Sequence, residues 1–504
     1  MKYFFIILFS IFAEKSVLAN EIEFQKAYTL YTQKSYAPAA SILYNLSRAG
    51  DSDEIRMKSR LYLGVALYRL NFPQIASFPL VKVVQEGTDE QKKVAMDYMV
   101  AIADKLSEDS LLSYTLKRTV PENLSKSATI IYEFRMGESF EAVGNYDEAI
   151  KHYEIALAGA KNKQPIRYAM ALTYLKMKKT DQAILFFEQI FKVVNKDPMT
   201  SVRKMTAIMG LARAYYQAEK WDEAAKVYRQ VPKDNSFYRQ SLFELSWTLF
   251  RSGKLRSALS PIQTLHSPYY QNFYDPESLL LRSTILFYVC KYDEIDKIKK
   301  SFEKSYSSAA NSIKNFISSK ASEQEMYQEL YQASVELNRV TKGGSLKSSG
   351  KLPFFILRSL IEERDIRLMN EYVERLNVER ANLPKTFNTV SLGEPLVRYG
   401  QKIIDGRKKF AQNKIGKIGI LHLQEKQSEI LDTAKQMDLL KYEILGMKKE
   451  AIRKKSTDSA EASPNQKFTW NYYVQNGYRY WPFQGEYWRD EIGNYQYVGV
   501  NSCE

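Results

Sequence analysis

The chain has 504 residues, more than a single hydrophobic core usually serves, so two or three structural regions are expected. Hydrophobic content of 45% with 26% charged residues is ordinary for a globular protein and excludes a mostly disordered one. The formal net charge is +15, and glycine (21) and proline (15) are sparse, as a mostly helical chain requires.

The first nineteen residues read as a targeting segment. Met1-Lys2 gives a positive start, Tyr3 to Ala13 an eleven-residue apolar run, and Val17-Leu18-Ala19 a small-residue cleavage site before Asn20. So short a run cannot cross about 30 Å of hydrocarbon as a helix. No cysteine follows it to carry a lipid, and no later segment is apolar enough to span. The expectation is a periplasmic chain cleaved after Ala19, without a transmembrane span; an uncleaved anchor is the other reading. In an oxidising compartment Cys290 and Cys503 are candidates for a disulfide. The chain-entropy model gives a loop of that size about 5 kcal/mol as an upper figure. The alternative is two free thiols.

From residue 20 onward the pattern is helical and repetitive. A faint copy contains Ala27, Tyr36, Ala39 and Leu43, and a second contains Leu63-Gly64, Leu67, Ala76 and Leu80. Residues 94–116 are helical by pattern but degenerate as a repeat. Four strong copies follow, centred on Ala149 (G-N-Y-D-E-A-I-K-H-Y), Ala183 (K-T-D-Q-A-I-L-F-F-E), Ala224 (K-W-D-E-A-A-K-V-Y) and Ala258 (L-R-S-A-L-S-P-I), at intervals of 34, 41 and 34 residues. In the first strong copy Gly137 and Ala149 let two antiparallel helices approach closely, while Phe140, Tyr146 and Tyr153 fill the space beside them. A further helix starts at Asp275-Pro276, and Y-D-E-I follows at 292–295.

These copies resemble the tetratricopeptide (TPR) family, whose helix–turn–helix unit repeats every 34 residues. The resemblance implies an α-solenoid of seven or eight units over 20–305, a curved surface that binds proteins rather than a catalytic pocket. In such hairpins fixed first-helix positions line the concave face. Here they hold Phe134, Glu138, Tyr168, Leu172, Leu175, Met209, Arg213, Tyr216, Phe243, Trp247 and Phe250. Family members that grip acidic C-termini use Lys and Asn in this groove, but Glu138, Leu172, Arg213 and Trp247 stand at the key Asn position. An apolar, aromatic groove suits an amphipathic helix or extended apolar peptide, unless the chain's own later segments fill it.

Past the solenoid, 306–352 reads as a helix and a flexible joint (T-K-G-G-S-L-K-S-S-G-K-L at 341–352). Residues 353–455 predict a long amphipathic helical hairpin around the Pro384–Pro395 region. One stripe is Ile366, Met369, Val373, Leu376 and Leu383. The other is Leu423, Ile430, Met437 and Ile444 at heptad spacing, coiled-coil-like but interrupted on its second seam by Gln427 and Lys441. Between Arg407 and Lys455 thirteen Lys or Arg face six Asp or Glu. In an exported chain this excess points away from nucleic acid and toward an anionic envelope polymer, a lipid surface or an acidic protein. The plainer reading is a solvated helix face.

Residues 456–465 look like a linker. The segment 466–504 holds Trp470, Trp481 and Trp488 among nine Tyr or Phe residues. Its alternation and Gly-Asn break predict a small aromatic β-hairpin, Glu486–Glu491 paired with Tyr495–Val500, docked on the solenoid. The rival is an aromatic platform for glycan or peptide. The fold expected overall is all-α, a TPR α-solenoid followed by a long helical hairpin and this small C-terminal β-hairpin.

The combination F-E-L-S-W-T-L-F-R-S-G-K (243–254), T-L-H-S-P-Y-Y (264–270), V-C-K-Y-D-E (289–294) and Y-W-P-F-Q-G-E-Y-W-R-D-E-I-G-N-Y (480–495) resembles envelope TPR proteins of predatory and gliding deltaproteobacteria, over nearly the whole mature chain. That resemblance implies an envelope scaffold associated with gliding-motility or related machinery. Catalytic patterns are missing. His152, His266 and His422 are scattered without metal-ligand spacing, Gly344 to Lys351 lacks the Ser or Thr of a phosphate loop, and no G-x-S-x-G occurs. No enzyme, cofactor or metal is expected. The sequence therefore predicts an exported scaffold for envelope proteins, with a peptidoglycan-binding role for the aromatic tail as the alternative.

Overall fold

The computed structural model describes residues 20–50, 52–106, 108, 110–117, 124–194, 201–346, 350–457, 486–488 and 492–495. The expected signal peptide 1–19, Cys503 and most of 456–485 lie outside them. In chain order the helices are α1 over 20–32, α2 Tyr36–Ala49, α3 Asp53–Arg69, α4 Pro73–Glu86, α5 Asp89–Leu106, α6 Ser110–Leu116, α7 Lys126–Ala142, α8 Tyr146–Gly159, α9 Gln164–Lys176, α10 Thr180–Val194, α11 Ser201–Gln217, α12 Trp221–Tyr228, α13 Tyr238–Arg251, α14 Leu255–Leu265, α15 Pro276–Tyr288, α16 Tyr292–Phe302, α17 Ser308–Ser318, α18 Glu323–Thr341, α19 Phe354–Glu362, α20 Arg364–Phe387 and α21 Gly393–Thr457. The chain divides into two compact units. The first takes residues up to Lys179 with Ala321–Leu346 and Leu360–His422, and the second takes Thr180–Lys320, Lys347–Ser359 and the chain from Leu423 onward.

Each hairpin turns the same way. The residue between the two helices sits in the left-handed region at Lys34, Asn71, Gly144, Lys178, Glu219, Gly253 and Cys290, with φ from 56° to 80°. The next amide reaches back five residues, as in Asn145 N to Phe140 O (2.9 Å), Lys220 N to Tyr215 O (2.9 Å) and Lys291 N to Leu286 O (2.9 Å). This is the long bond of a Schellman motif, and it satisfies a carbonyl that the helix end would leave bare. Gly144 and Gly253 adopt the conformation freely. At Lys178, Glu219 and Cys290 the bonds must offset a steric cost of about 1 kcal/mol.

Within a hairpin, a glycine on the first helix faces a large side chain on the second. A Cβ at Gly64 would lie 2.5 Å from Leu80 Cγ, and one at Gly137 would lie 2.5 Å from Tyr153 Cδ1. In the second unit the same device operates between neighbouring hairpins, where Gly210 of α11 faces Phe187 of α10. Phe187, Tyr153, Ala149, Ala183, Ala224 and Ala258 are all fully buried.

In the first unit, α20 and the start of α21 form an antiparallel pair. Arg380 Nε donates to Asp405 Oδ1 (2.7 Å), Arg407 Nε donates to Tyr372 Oη (3.0 Å), and Gly400 packs against Leu383 and Ile75. The predicted stripe Ile366, Met369, Val373, Leu376 and Leu383 is buried throughout. Pro384 lies inside the last turn of α20, so the helix runs on to Phe387, whose ring lies 5.7 Å from that of Phe72.

A buried polar chain fixes this pair to α4 and α5. Helix α4 opens on Phe72 and Pro73 with no side-chain cap of its own. Glu379 supplies one from α20, accepting the amides of Gln74 (3.1 Å) and Ile75 (3.0 Å). One turn earlier, Arg375 donates to the Lys105 carbonyl at the end of α5 (2.8 Å). One face of α20 thus sets an acid on a helix N-terminus and a base on a helix C-terminus, both favourable to the helix dipoles. Tyr372 donates to Gln74 Oε1, and Arg407 continues the chain to Glu108 (2.8 Å) and Ser110 (3.0 Å). Burial pushes the Glu379 carboxyl up to about 7, against the pull of the two amides and Lys105.

In the second unit the heptad stripe Leu423, Ile430, Met437 and Ile444 is the buried face of α21. Tyr274 Oη donates to the Lys426 carbonyl (3.2 Å), and Lys299 of α16 pairs with Asp438. Phe273 lies beneath the guanidinium groups of Arg358 (3.6 Å) and Arg239 (4.7 Å).

No strand of the expected C-terminal β-hairpin occurs among the described residues, which contain helices and turns; 489–491 and 496–500 lie outside them. Glu486–Trp488 is irregular, and Ile492-Gly493 turns with Gly493 at φ 84°. The hydrogen-bonding groups of the segment go elsewhere. Gly493 N donates to Thr264 Oγ1 (3.0 Å), Tyr487 Oη accepts from Gln263 (2.9 Å), and the Trp488 amide donates to Tyr495 Oη (3.2 Å). A two-stranded ribbon is marginal in water, and side chains of α14 outcompete the ladder. Of the alternating aromatics, Tyr487 and Tyr495 meet edge-on with ring centroids 5.6 Å apart.

Two outcomes check this packing. A Cβ at Gly416 would fall 1.8 Å from the Glu323 carbonyl oxygen, whereas one at Gly406, on the same helix, meets nothing within 4 Å. Denaturant titration should give Gly416→Ala a loss of about 1–3 kcal/mol and Gly406→Ala no loss or a gain of up to about 1 kcal/mol; equal effects would contradict the contact. Because the folded carboxyl of Glu379 titrates above its unfolded value, it favours folding most at low pH. Wild type should therefore lose stability relative to Glu379→Gln as pH rises from 4.5 to 7, by at most about 3 kcal/mol. A difference constant across that window would show an unshifted carboxyl.

Candidate functional site

The groove positions fall into two sets, one in each unit. In the first unit Phe134 and Glu138 lie on α7, and Tyr168, Leu172 and Leu175 on α9, all part-buried. Phe134 packs its ring 5.7 Å from Tyr153, with the Arg135 guanidinium 6.0 Å from the Phe134 ring, and Glu138 pairs with Arg135 (2.6 Å). This set is half core wall, half surface.

In the second unit the positions separate. Met209 is 1% exposed and belongs to the core. Arg213 spans to the next first helix, donating through Nε (2.8 Å) and Nη2 (2.6 Å) to Glu244, which also accepts from Tyr228 Oη (2.8 Å). The guanidinium therefore clamps successive hairpins together. Tyr216, Phe243, Trp247 and Phe250 are part-exposed. Trp247 stands edge-on to Phe250 (5.8 Å), Phe250 meets Tyr288 (5.7 Å), and Tyr216 meets Trp221 edge-on (5.0 Å) beneath the Arg251 guanidinium. Tyr288 is 57% exposed. First-helix residues of α11, α13 and α15, with Trp221, thus carry a row of aromatic rings. Trp221 and Tyr288 belong to that row but escape the fixed positions, because each sits at a helix end.

Tyrosine–glutamate pairs hold the repeats in register behind these faces. Tyr153 donates to Glu141 (2.7 Å), Tyr215 to Glu188 (2.9 Å) and Tyr228 to Glu244. Burial, then the glutamate, pushes Tyr215 up to about 12, and the same causes raise Tyr153 and Tyr228. These hydroxyls remain protonated donors at any physiological pH.

The histidines have separate local roles. His152 bonds Glu133 (2.6 Å) and stacks on Phe140. His266 is part-buried, with Arg282 on Nδ1 (3.2 Å) and Ser278 on Nε2 (2.9 Å), and burial followed by Arg282 lowers it to about 3. It is a neutral structural group. His422 lies between Asp365 (3.0 Å) and Glu363 (3.4 Å), a set whose donor atoms all fall within 4.8 Å of one another. Among the described residues of the first unit these three could hold a divalent ion, a juxtaposition invisible in the spacing because it joins the α19–α20 corner to α21. The first unit also has a cleft of about 560 Å³, bordered by Tyr44, Arg48, Arg60, Lys82, Tyr114 and Tyr399.

Comparison with known families supports the repeat reading. A tetratricopeptide repeat family model matches residues 142–199, and a second of the same description matches 209–264. No curated protein matches the chain. Among solved structures, a tetratricopeptide repeat protein from Parabacteroides merdae is 16% identical, covering 57% of this chain and 93% of its own, with a TM-score of 0.27. The apo form of the quorum sensor NprR from B. thuringiensis is 15% identical, covering 69% of this chain and 97% of its own, with a TM-score of 0.36. The chain therefore contains tetratricopeptide repeats over 142–199 and 209–264, which include Tyr168, Leu172, Leu175 and the six groove positions from Met209 to Phe250.

Proposed function

We propose that this protein is an exported, non-enzymatic scaffold that gathers partner proteins in the bacterial cell envelope, as part of a motility or related envelope complex. The observation that carries the reading is the part-exposed aromatic row of Tyr216, Trp221, Trp247, Phe250 and Tyr288 on a repeat fold whose known role is protein–protein interaction. Rigid aromatic rings give large contact area with few torsions to freeze, which is the chemistry of binding hot spots. The partner best suited is an amphipathic helix or an extended apolar segment.

Placement in the periplasm rests on Met1–Ala19, and on envelope-type motifs such as Y-W-P-F-Q-G-E-Y-W at 480–488. In that compartment a bond from Cys290, at the turn between α15 and α16, to Cys503 would fasten the C-terminal segment whose Tyr487 and Gly493 dock on α14.

Crosslinked pull-downs from native envelopes should recover discrete proteins, with Trp247→Ala and Phe250→Ala each lowering the yield about tenfold or more while circular dichroism stays unchanged. Unchanged yields would overturn the groove, and binding to purified sacculi that is lost on deleting 466–504 would move recognition to the tail. N-terminal sequencing should begin at Asn20, and neither thiol should alkylate in unreduced, denatured protein. A chain starting at Met1 would remove the cleavage after Ala19, and two alkylated cysteines would remove the cross-link.

A further inference from the structure

The cleft of the first unit joins an apolar wall to a basic edge. Leu63, Phe78, Pro79 and Leu111 supply the wall, and Arg48, Arg60 and Lys82 the cations; among the described residues no Asp or Glu borders it. Arg60 and Lys82 share Glu86 beside the cleft (3.2 and 3.4 Å), a carboxylate that is half exposed and screened by solvent. Arg48 has no carboxylate partner among the described residues. Its guanidinium donates to Tyr44 Oη (3.0 Å) and lies 5.6 Å from the centre of that ring.

Tyr399, from α21, completes the edge, with its ring 5.0 Å from that of Tyr44. Burial, then Tyr44, pushes its hydroxyl up to about 12, while Arg48 and Arg60 pull the other way, so guanidiniums from α2 and α3 both act on it. The hydroxyl stays protonated and able to donate. Two guanidiniums and a phenol O–H from three helices thus converge, a donor set that matches an oxyanion. Charge and volume narrow the ligand. Three cations and one shared carboxylate leave an excess of two positive charges. A phosphate monoester, at about −1.5 to −2, offsets that excess, whereas a carboxylate offsets half of it. A volume of about 560 Å³ takes a small molecule and is too small for a folded partner. The apolar wall calls for more than a bare ion. We propose that this cleft binds a phosphate monoester of an apolar alcohol, with Arg48, Arg60 and the Tyr399 hydroxyl on the phosphate and the organic group against Leu63, Phe78 and Leu111. This step goes beyond the scaffold reading and needs neither its partner nor its export signal.

The test is isothermal titration calorimetry of the purified full chain with 1-naphthyl phosphate, 1-naphthol and inorganic phosphate. The first should bind at one molecule per chain, and each half alone about tenfold or more weakly. Arg48→Gln and Tyr399→Phe should each weaken binding of 1-naphthyl phosphate about tenfold while thermal melts stay unchanged. No binding would overturn the proposal. So would 1-naphthol binding as tightly as its phosphate, which would leave an apolar cleft without an anion site. Inorganic phosphate binding as tightly would also overturn it, leaving surface cations only, and so would variants that bind like wild type, which would place the ligand elsewhere. No partner protein enters the measurement, so its failure and that of the scaffold reading are distinguishable.

Discussion

The first unit depends on a carboxylate placed where water cannot reach it. Without Glu379, two amides at the start of α4 would face a buried environment with no acceptor, at about 1–3 kcal/mol each. With it, the unit must bury an acid, and the raised titration is the sign of that cost. The two penalties offset each other, and the rest of the polar chain, Gln74, Tyr372, Arg407 and Glu108, satisfies what remains. Hydrophobic contact alone would let α20 slide along α4. A carboxylate that must meet two particular amides admits one register.

The solenoid itself is held by two repeated devices, a left-handed turn and a close helix approach. The turn follows from backbone geometry rather than from side-chain identity, which is why Lys, Glu, Asn, Gly and Cys all occupy it, whereas the close approach needs a glycine at 64, 137 and 210. Variation at these positions is possible because the back-reaching bond, not the residue, fixes the conformation. Surfaces can then diverge while hairpins keep their stacking. In the second unit the surface has diverged toward rings, with Arg213 spent on Glu244 and no longer a ligand group.

The repeats were legible because their signal is local: small residues such as Gly137 and Ala149 recur at fixed offsets from large ones such as Tyr153. The heptad stripe of α21 was legible for the same reason, although its neighbours, Tyr274 and α16, were not. What stayed hidden was long-range. Glu379 reads as one more solvated glutamate in E-R-L-N-V-E-R, and nothing nearby in sequence marks α4 as lacking a cap. His422 gave no hint of Asp365 and Glu363 because the three meet only after the chain folds back. The tail misled through composition. Alternating aromatics fit a strand, but Gly493 and Tyr487 found partners on α14 first. Among the groove positions the fixed offsets could not tell the buried Met209 from the part-exposed Trp247.

Helix α4 is closed by a residue 305 positions further along the chain. During synthesis the opening hairpins therefore emerge long before the group that completes them. Loop closure over such a separation is slow compared with forming a helical pair. Until α20 arrives, this end of the molecule exposes bare amides and the apolar sides of Phe72 and Ile75. The stretch made first is finished last, and a ribosome or translocation pore that releases the chain end-first leaves it waiting in an unfinished, chaperone-accessible form.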